Sequence, residues 1–204
     1  MTRRIGFLAL TLALLSPLVA SAQRFEITPF VGYRLGGSLN DFDLEESFDF
    51  EDNDSKGLIL DIAVAPNAFV EILYSTQETK LEEGGALFLD SPLFDIDVDY
   101  WHLGGLYQFE YGRMKPFVVA TLGITELDPR PQGLDSETKF SMGIGGGVKL
   151  MLAERLAFRL EGRGFSTLVD TGEEVFCNPH ACYGYDSASF LWQFEARAGV
   201  TLSF

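Results

Sequence analysis

Apolar and polar residues alternate with a period of two along most of the chain after residue 23. In the last segment one set of alternate positions is apolar: Phe190, Trp192, Phe194, Ala196, Ala198, Val200, Leu202 and Phe204. The positions between them hold Gln193, Glu195, Arg197, Gly199, Thr201 and Ser203. Because successive side chains of a β-strand point to opposite faces, the pattern predicts strands with two different faces. No segment has the sustained period of a helix.

The same alternation predicts an all-β fold of about eight antiparallel strands, placed near residues 24–35, 57–65, 68–78, 98–110, 115–126, 140–150, 155–163 and 190–204. Three connections are short, near residues 65–67, 110–115 and 152–154. Four are long and polar, over residues 36–56, 79–97, 127–136 and 167–188. Short turns at one end and long loops at the other are typical of a transmembrane β-barrel of the outer-membrane type. We therefore expect short periplasmic turns, long extracellular loops and both termini at the periplasmic end.

A soluble barrel also alternates, but it keeps its apolar residues inside. Here the polar face mixes glycines with charges of both signs, as suits a narrow lumen. Aromatic residues gather near the strand ends, as they do at the two membrane interfaces. These residues are Phe25, Tyr33, Tyr74, Trp101, Tyr107, Phe109, Phe190, Trp192 and Phe204. The apolar face is therefore expected to meet lipid.

An eight-stranded barrel is just wide enough for side chains to fill its interior. The predicted inward residues are Glu26, Arg34, Asp61, Glu71, His102, Lys149, Arg159, Glu161, Arg163, Glu195 and Arg197. Unpaired charges in such an interior cost several kcal/mol each. We therefore predict a cross-strand network of ion pairs with water rather than an open pore, with a narrow or gated cation path as the alternative.

The first 22 residues differ from the rest. Arg3 and Arg4 precede an apolar run over 5–15, Pro17 breaks it, and Ala20-Ser21-Ala22 offers small residues for cleavage. This arrangement predicts a secretory signal peptide over 1–22, followed by one domain over 23–204. Removing it leaves 13 Lys and Arg against 30 Asp and Glu, a net charge of −17. Such a chain repels nucleic acid, so nucleic-acid binding is excluded.

Cys177 and Cys182 lie five residues apart in a polar stretch, and export to an oxidising compartment favours a disulfide between them. A metal site that includes His180 is the alternative, but one pair of thiols is too few for a typical zinc site. We expect neither a metal nor a cofactor.

The first long connection carries a dense run of acids: Asp41, Asp43, Glu45, Glu46, Asp49, Glu51, Asp52 and Asp54. Carboxylates at this density could hold Ca²⁺ or Mg²⁺, but the spacing does not match the known calcium-loop pattern. A solvated surface loop is the main expectation. The interleaved Phe42, Leu44, Phe48 and Phe50 indicate that the loop extends the barrel as a hairpin, which could meet lipopolysaccharide through divalent cations or bind an extracellular partner.

Catalysis finds little support in the sequence. The chain has two histidines, His102 and His180, and neither lies in a nucleophile motif. The GIGGGVKL run over 143–150 lacks the ending and the strand-to-helix context of a phosphate-binding loop. We therefore expect no enzyme activity, and modification of lipid A is a remote third option.

The signal peptide, the alternating strands, the TPFVGYRLGG stretch over 28–37 and the closing GVTLSF resemble the small outer-membrane β-barrel family, of the OmpA/OmpX type, without a periplasmic domain. The resemblance implies a monomer in the outer membrane of a Gram-negative cell. It also implies that the C-terminal Phe204 is read by the barrel-assembly machinery. A structural or interaction role, in contact with outer-membrane lipid and lipopolysaccharide, is the expected function; a porin-like channel for small solutes or ions is the alternative.

Overall fold

The computed structural model describes residues 25–40, 47–84, 91–130, 136–169, 174–178, 181–184 and 189–204. The predicted signal peptide lies outside these residues. Eight long strands form the main body: β1 (Phe25–Leu35), β4 (Asn53–Ala65), β5 (Ala68–Gly84), β6 (Ser91–Gln108), β7 (Met114–Pro129), β8 (Glu137–Ala153), β9 (Leu156–Val169) and β12 (Ser189–Ser203). Four short strands complete the set: β2 (Ser38–Asn40), β3 (Ser47–Phe50), β10 (Glu174–Asn178) and β11 (Ala181–Gly184). Within the described part of the chain, no helix is both long and apolar enough to cross a membrane.

The eight long strands close into an antiparallel barrel. Each pairs with its neighbour in the chain, and β1 pairs with β12 to complete the circle. Following ladder partners around the barrel from Val148 leads back to β8 at Thr138, ten residues away. This stagger requires strands tilted by roughly 35–45° from the barrel axis. The predicted eight-stranded barrel is thus confirmed, and closure leaves no unpaired edge at membrane depth.

The three short turns lie at one end of the barrel, which we call the turn end; the opposite end is the loop end. Pro66–Asn67 joins β4 to β5, and Glu154–Arg155 joins β8 to β9. The turn between β6 and β7 is closed by Gly112, whose φ of 62° suits glycine. Both ends of the described barrel lie here as well, since the Phe204 N–H donates to the Phe25 carbonyl at 3.0 Å.

The predicted long loop over 79–97 is wrong. β5 continues to Gly84 and β6 begins at Ser91, so six residues separate the paired strands. The apolar alternation fades here because the outward positions become charged, as at Glu78 and Lys80, although the ladder continues. The predicted hairpin in the first connection does form: β2 pairs with β3, which pairs with β5.

The two faces of the wall divide as the alternation predicts. Large apolar side chains point outward and are exposed, among them Val31, Leu58, Leu103, Leu122, Ile144, Leu160 and Val200. Outward aromatic residues occur near both ends, with Tyr33, Trp101, Phe140 and Trp192 on the loop side and Phe25, Tyr107, Phe109 and Phe204 on the turn side. An apolar band between two aromatic girdles is the lipid-facing surface of a membrane barrel.

Candidate functional site in the barrel lumen

The inward positions bring the predicted polar residues together inside the barrel. Each of the following is at most 4% exposed: Arg34, Asp61, Glu71, His102, Lys149, Arg159, Glu161, Arg163, Glu195 and Arg197. Glu26 lies at the edge of the group, with 14% of its side chain exposed. Glycines on β8 make room for them: a Cβ at Gly143 would lie 2.8 Å from Thr121 Oγ1 and 3.3 Å from His102 Nδ1.

Two arginines on β9 share two carboxylates at the centre of the lumen. Arg159 donates to Glu71 Oε2 at 2.8 Å and to Glu161 Oε2 at 2.8 Å. Arg163 donates to Glu71 Oε1 at 2.6 Å and to Glu161 Oε1 at 2.7 Å. Arg159 also donates to Asp61 Oδ2 at 2.8 Å. Planar guanidinium groups suit such paired contacts, and together these bonds tie β9 to β4 and β5 across the barrel. We call these five residues the central network.

Lys149 continues the central network toward the turn end. Its ammonium donates to Asp61 Oδ2 at 3.1 Å and to Glu26 Oε2 at 2.5 Å. The same ammonium lies 5.1 Å from the centre of the Phe69 ring. Phe69 belongs to a buried apolar cluster with Leu106, Phe117 and Val119. This cluster, which we call the lower plug, fills the lumen beneath the charges.

A second group of charges lies nearer the loop end. The Arg34 side chain donates to Glu195 Oε2 and Ser75 Oγ at 2.8 and 2.6 Å, and Ser75 donates to the same carboxylate oxygen at 3.1 Å. Arg197 is held less well. Its Nε lies 3.1 Å from Glu195 Oε1, and its Nη2 lies 3.7 Å from Glu161 Oε1. None of the three guanidinium nitrogens of Arg197 makes a hydrogen bond of good geometry among the described residues. We call Arg34, Ser75, Glu195 and Arg197 the upper group.

His102 lies in the lumen but outside the ion pairs. Its Nδ1 is 2.9 Å from Thr121 Oγ1 and its Nε2 is 2.9 Å from Ser141 Oγ. Its expected membership of a charge network therefore needs correction, because both ring nitrogens face hydroxyl groups rather than carboxylates. The ring also meets Phe165 edge-on at 5.3 Å, and Phe165 stacks on Tyr100 at 4.2 Å.

Apolar side chains close the lumen at the loop end as well. Inward Ile96, Val98, Leu127 and Leu191 are each 0–3% exposed. Tyr100 donates to Gln193 Oε1 at 2.7 Å just beneath this level. We call the four apolar residues the upper plug. The charged layers are therefore enclosed between two apolar layers.

Sequence reasoning missed these inward apolar and aromatic residues. Leu73 follows Glu71 by two positions and Phe165 follows Arg163 by two, so both share the face of the charged residues. Continuing the two-residue period through the polar face would have found them. The expectation of a purely polar lumen hid this signal.

The remaining predicted sites are placed as follows. Phe204 is exposed on the outer face and stacks on Phe25, with ring centroids 5.0 Å apart. Cys177 and Cys182 are direct ladder partners in the β10–β11 hairpin; their side chains, and His180, lie outside the description. The acids at 41, 43, 45 and 46 lie outside it too, whereas Asp52 and Asp54 are exposed. Within the described residues, no group of three or more His, Cys, Asp or Glu could hold a metal ion.

Solved structures of other proteins have a similar fold. The crystal structure of Neisserial surface protein A is 14% identical, with a TM-score of 0.60 over 88% of this chain and 97% of that one. The outer membrane protein OprG from Pseudomonas aeruginosa is 16% identical, with a TM-score of 0.62 over 90% and 96%. The N-terminal β-barrel domain of OprF from the same organism is 15% identical, with a TM-score of 0.50 over 89% and 97%. At such identities the likeness concerns the fold alone.

The family comparison covers nearly the whole chain. Comparison with the curated proteins gives no match. The model of the outer membrane protein β-barrel domain matches residues 9–202. These residues include the twelve strands that the structure describes, the last of them up to Leu202. The chain belongs to the outer membrane protein β-barrel domain family.

Proposed function

We propose that this chain is a closed outer-membrane barrel with a structural and interaction role, rather than a pore. The observation that supports this proposal most directly is the sequence of layers in the lumen. The central network and the upper group are buried between the lower and upper plugs, and their charges compensate one another across the strands. Ions or solutes crossing the barrel would have to break several buried ion pairs, and each broken pair is costly.

The part of the barrel best suited to meet partners is its loop end. A transmembrane strand needs roughly 9–11 residues, whereas β5 and β6 have 17 and 18. Beyond Trp101, the outward positions of β6 hold Asp95, Asp97 and Asp99. The extra length therefore carries an acidic wall beyond the apolar band. A platform of this kind suits contacts with lipopolysaccharide through bridging divalent cations, or contacts with an extracellular partner.

The proposal includes the route and orientation of the chain. Residues 1–22 act as a cleaved signal peptide, the short turns face the periplasm of a Gram-negative cell, and the loop end faces outward. Phe204 serves as the recognition residue for the barrel-assembly machinery, and the folded barrel is a monomer. The proposal also includes a disulfide between Cys177 and Cys182. These residues are direct ladder partners, and directly paired antiparallel residues lie at Cα separations that a disulfide spans.

We also propose that the chain is not an enzyme. An enzyme of this kind would need a histidine beside a hydroxyl nucleophile. Among the described residues, His102 lies beside the hydroxyl groups of Ser141 and Thr121, and all three residues are buried inside the closed lumen. A nucleophile must meet its substrate, and this arrangement is out of reach from both the membrane and water.

A narrow channel is the second candidate, and Arg197 is the observation that favours it. A buried guanidinium group without good hydrogen bonds marks the least tightly held part of the lumen. Water beside Arg197 would satisfy its donors and begin a polar path.

Conductance in planar lipid bilayers separates the two candidates. We expect the inserted wild-type chain to give no discrete current steps, with insertion verified by protease protection and by a heat-dependent gel shift. Clear steps that Arg197→Met alters, while the outward Arg130→Gln leaves them unchanged, would establish the channel and overturn the closed-barrel proposal.

A further inference from the structure

The imidazole of His102 lies between two hydroxyl groups inside the barrel. Its Nδ1 is 2.9 Å from Thr121 Oγ1 on β7, and its Nε2 is 2.9 Å from Ser141 Oγ on β8. Thr121 in turn donates to the Gly143 carbonyl at 3.5 Å. A neutral ring completes this arrangement, because Nδ1–H donates to Thr121 while Nε2 accepts from the Ser141 hydroxyl. His102, Thr121 and Ser141 are each at most 3% exposed, so the two hydroxyl groups rather than bulk water satisfy the ring.

The packing around the imidazole fixes its position. It meets the rings of Phe165 and Tyr100 edge-on, with ring centres 5.3 and 5.4 Å away. Leu73 on β5 is the ladder partner of His102 and is fully buried. On β8, a Cβ at Gly143 would lie only 3.3 Å from Nδ1. The imidazole therefore cannot turn toward a carboxylate without disturbing the packing of the lumen.

Most of the charges that face His102 are positive. The charged groups with the strongest electrostatic effect on it are Arg34 on β1, Glu71 on β5, Arg163 on β9 and Arg197 on β12. The guanidinium carbons of Arg34 and Arg197 lie 5.7 and 5.8 Å from the centre of the Phe165 ring, the same ring that meets the imidazole. The imidazole therefore lies where the arginines create a positive potential.

The carboxylates of this region already have partners. Arg163 donates to Glu71 at 2.6 Å and to Glu161 at 2.7 Å, and Arg34 donates to Glu195 at 2.8 Å. An imidazolium would have to compete for these carboxylates with guanidinium groups that hold them in place. It would also reverse one of the two hydroxyl bonds, because both ring nitrogens of a protonated histidine are donors. An uncompensated charge in such an interior is strongly unfavourable.

We propose that His102 makes the closed lumen sensitive to acid. The imidazole stays neutral in the folded barrel, and it takes up a proton only where the lumen opens or the chain unfolds. Acid therefore favours these open states over the closed barrel. The inference concerns this response to acid, and it holds whether or not the barrel conducts at neutral pH.

Urea unfolding in lipid vesicles at two pH values tests the proposal. A free histidine takes up its proton at about pH 6.5, whereas free carboxylates do so near about pH 4. Between about pH 7.5 and about pH 5.5, imidazoles are therefore the side chains that change charge in the unfolded chain. We expect the unfolding equilibrium constant of the wild-type chain to rise about tenfold over this interval, because the unfolded state binds more protons. A rise of less than about twofold would overturn the proposal.

Three variants identify the group responsible. His102→Gln keeps a donor and an acceptor for the two hydroxyl groups but takes up no proton, so its unfolding constant should change by less than about twofold. His180→Gln is the control at the other histidine and should keep the wild-type rise. Ser141→Asp gives an imidazolium a carboxylate partner and should abolish the rise. An unchanged rise in His102→Gln or Ser141→Asp, or its loss in His180→Gln, would overturn the proposal.

Nitrogen-15 NMR provides a test that leaves His102 unaltered. The sample is the folded His180→Gln barrel with labelled histidine, so that His102 gives the histidine signals. We expect its two ring nitrogens to keep the different shifts of a neutral imidazole, one nitrogen protonated and the other not, at both pH values. The similar pair of shifts of an imidazolium, seen in the folded barrel at the lower pH, would overturn the proposal.

Discussion

Two arginines in this barrel make similar contacts in opposite surroundings. Arg159 reaches its carboxylate partners at 2.6–2.8 Å with no more than 1% of any of these side chains exposed. Arg130 reaches Glu78 and Asp97 at 2.8–2.9 Å, but these three side chains are 30–60% exposed. Its hydrogen bonds with Asp97 and then Glu78 raise the pKa of Arg130 above its ordinary value. The geometry of the two clusters is alike, whereas the burial is not.

The difference shows that burial rather than distance decides what an ion pair does in this molecule. An exposed pair exchanges one solvated state for another and contributes little. A buried pair has already lost its hydration, so removing one partner leaves the other charge uncompensated in an environment of low dielectric constant. The central network therefore fixes which strands face one another across the lumen, and the outer cluster chiefly sets the surface charge.

Removing Arg159 should have the largest effect. Arg159→Met leaves the carboxylates of Asp61, Glu71 and Glu161 short of a donor, and we expect a loss of about 3–5 kcal/mol in the free energy of unfolding. Reversible urea unfolding in lipid vesicles, followed by the fluorescence of Trp101 and Trp192, measures it. Adding Asp61→Asn to the variant should recover part of the loss, because one unpaired charge is then gone. A loss below about 1 kcal/mol would contradict the role given to burial.

Arg34→Met in the upper group should be less damaging. Glu195 loses its 2.8 Å partner but keeps the nearby guanidinium of Arg197 and the hydroxyl of Ser75. We expect a loss of roughly 1.5–3 kcal/mol, the usual range for a hydrogen bond to a charged group, in the same unfolding assay. Combining it with Arg197→Met should cost more than the two losses added together, since Glu195 would then have no cation. If the two losses of unfolding free energy simply add, Arg197 does not compensate the charge of Glu195 when Arg34 is absent.

Much of this architecture could be predicted from the sequence because the membrane imposes a strong pattern. The outer face of the wall must be apolar, so the apolar residues at alternate positions from Phe190 to Phe204 can be assigned to that face directly from the sequence. The lumen imposes no such rule, and either Phe165 or Arg163 fills an inward position equally well. The partners of Glu71 depend on strand tilt and stagger, which bring distant residues together across the barrel. Alternation gives the face of a residue but not its level along the barrel.

The same reasoning explains the error at the β5–β6 hairpin. Above the girdle the outer face meets water or headgroups, so Glu78 and Asp97 replace apolar residues while the ladder continues. A polar run then looks like a loop although its backbone is paired. The loss of alternation therefore marks where the apolar band ends, not where the strands end.

Arg130→Gln should have the smallest effect. Water replaces the lost contacts with Glu78 and Asp97, so at physiological ionic strength we expect no change in unfolding free energy beyond experimental error. At low ionic strength the acids of the outer wall repel one another over a longer distance, and the variant should become slightly less stable than the wild-type chain. Unfolding both chains in the vesicle assay at two salt concentrations tests this, with Lys80→Gln as a control from the same wall. A loss as large as that of Arg159→Met, and insensitive to salt, would show that distance rather than burial governs these pairs.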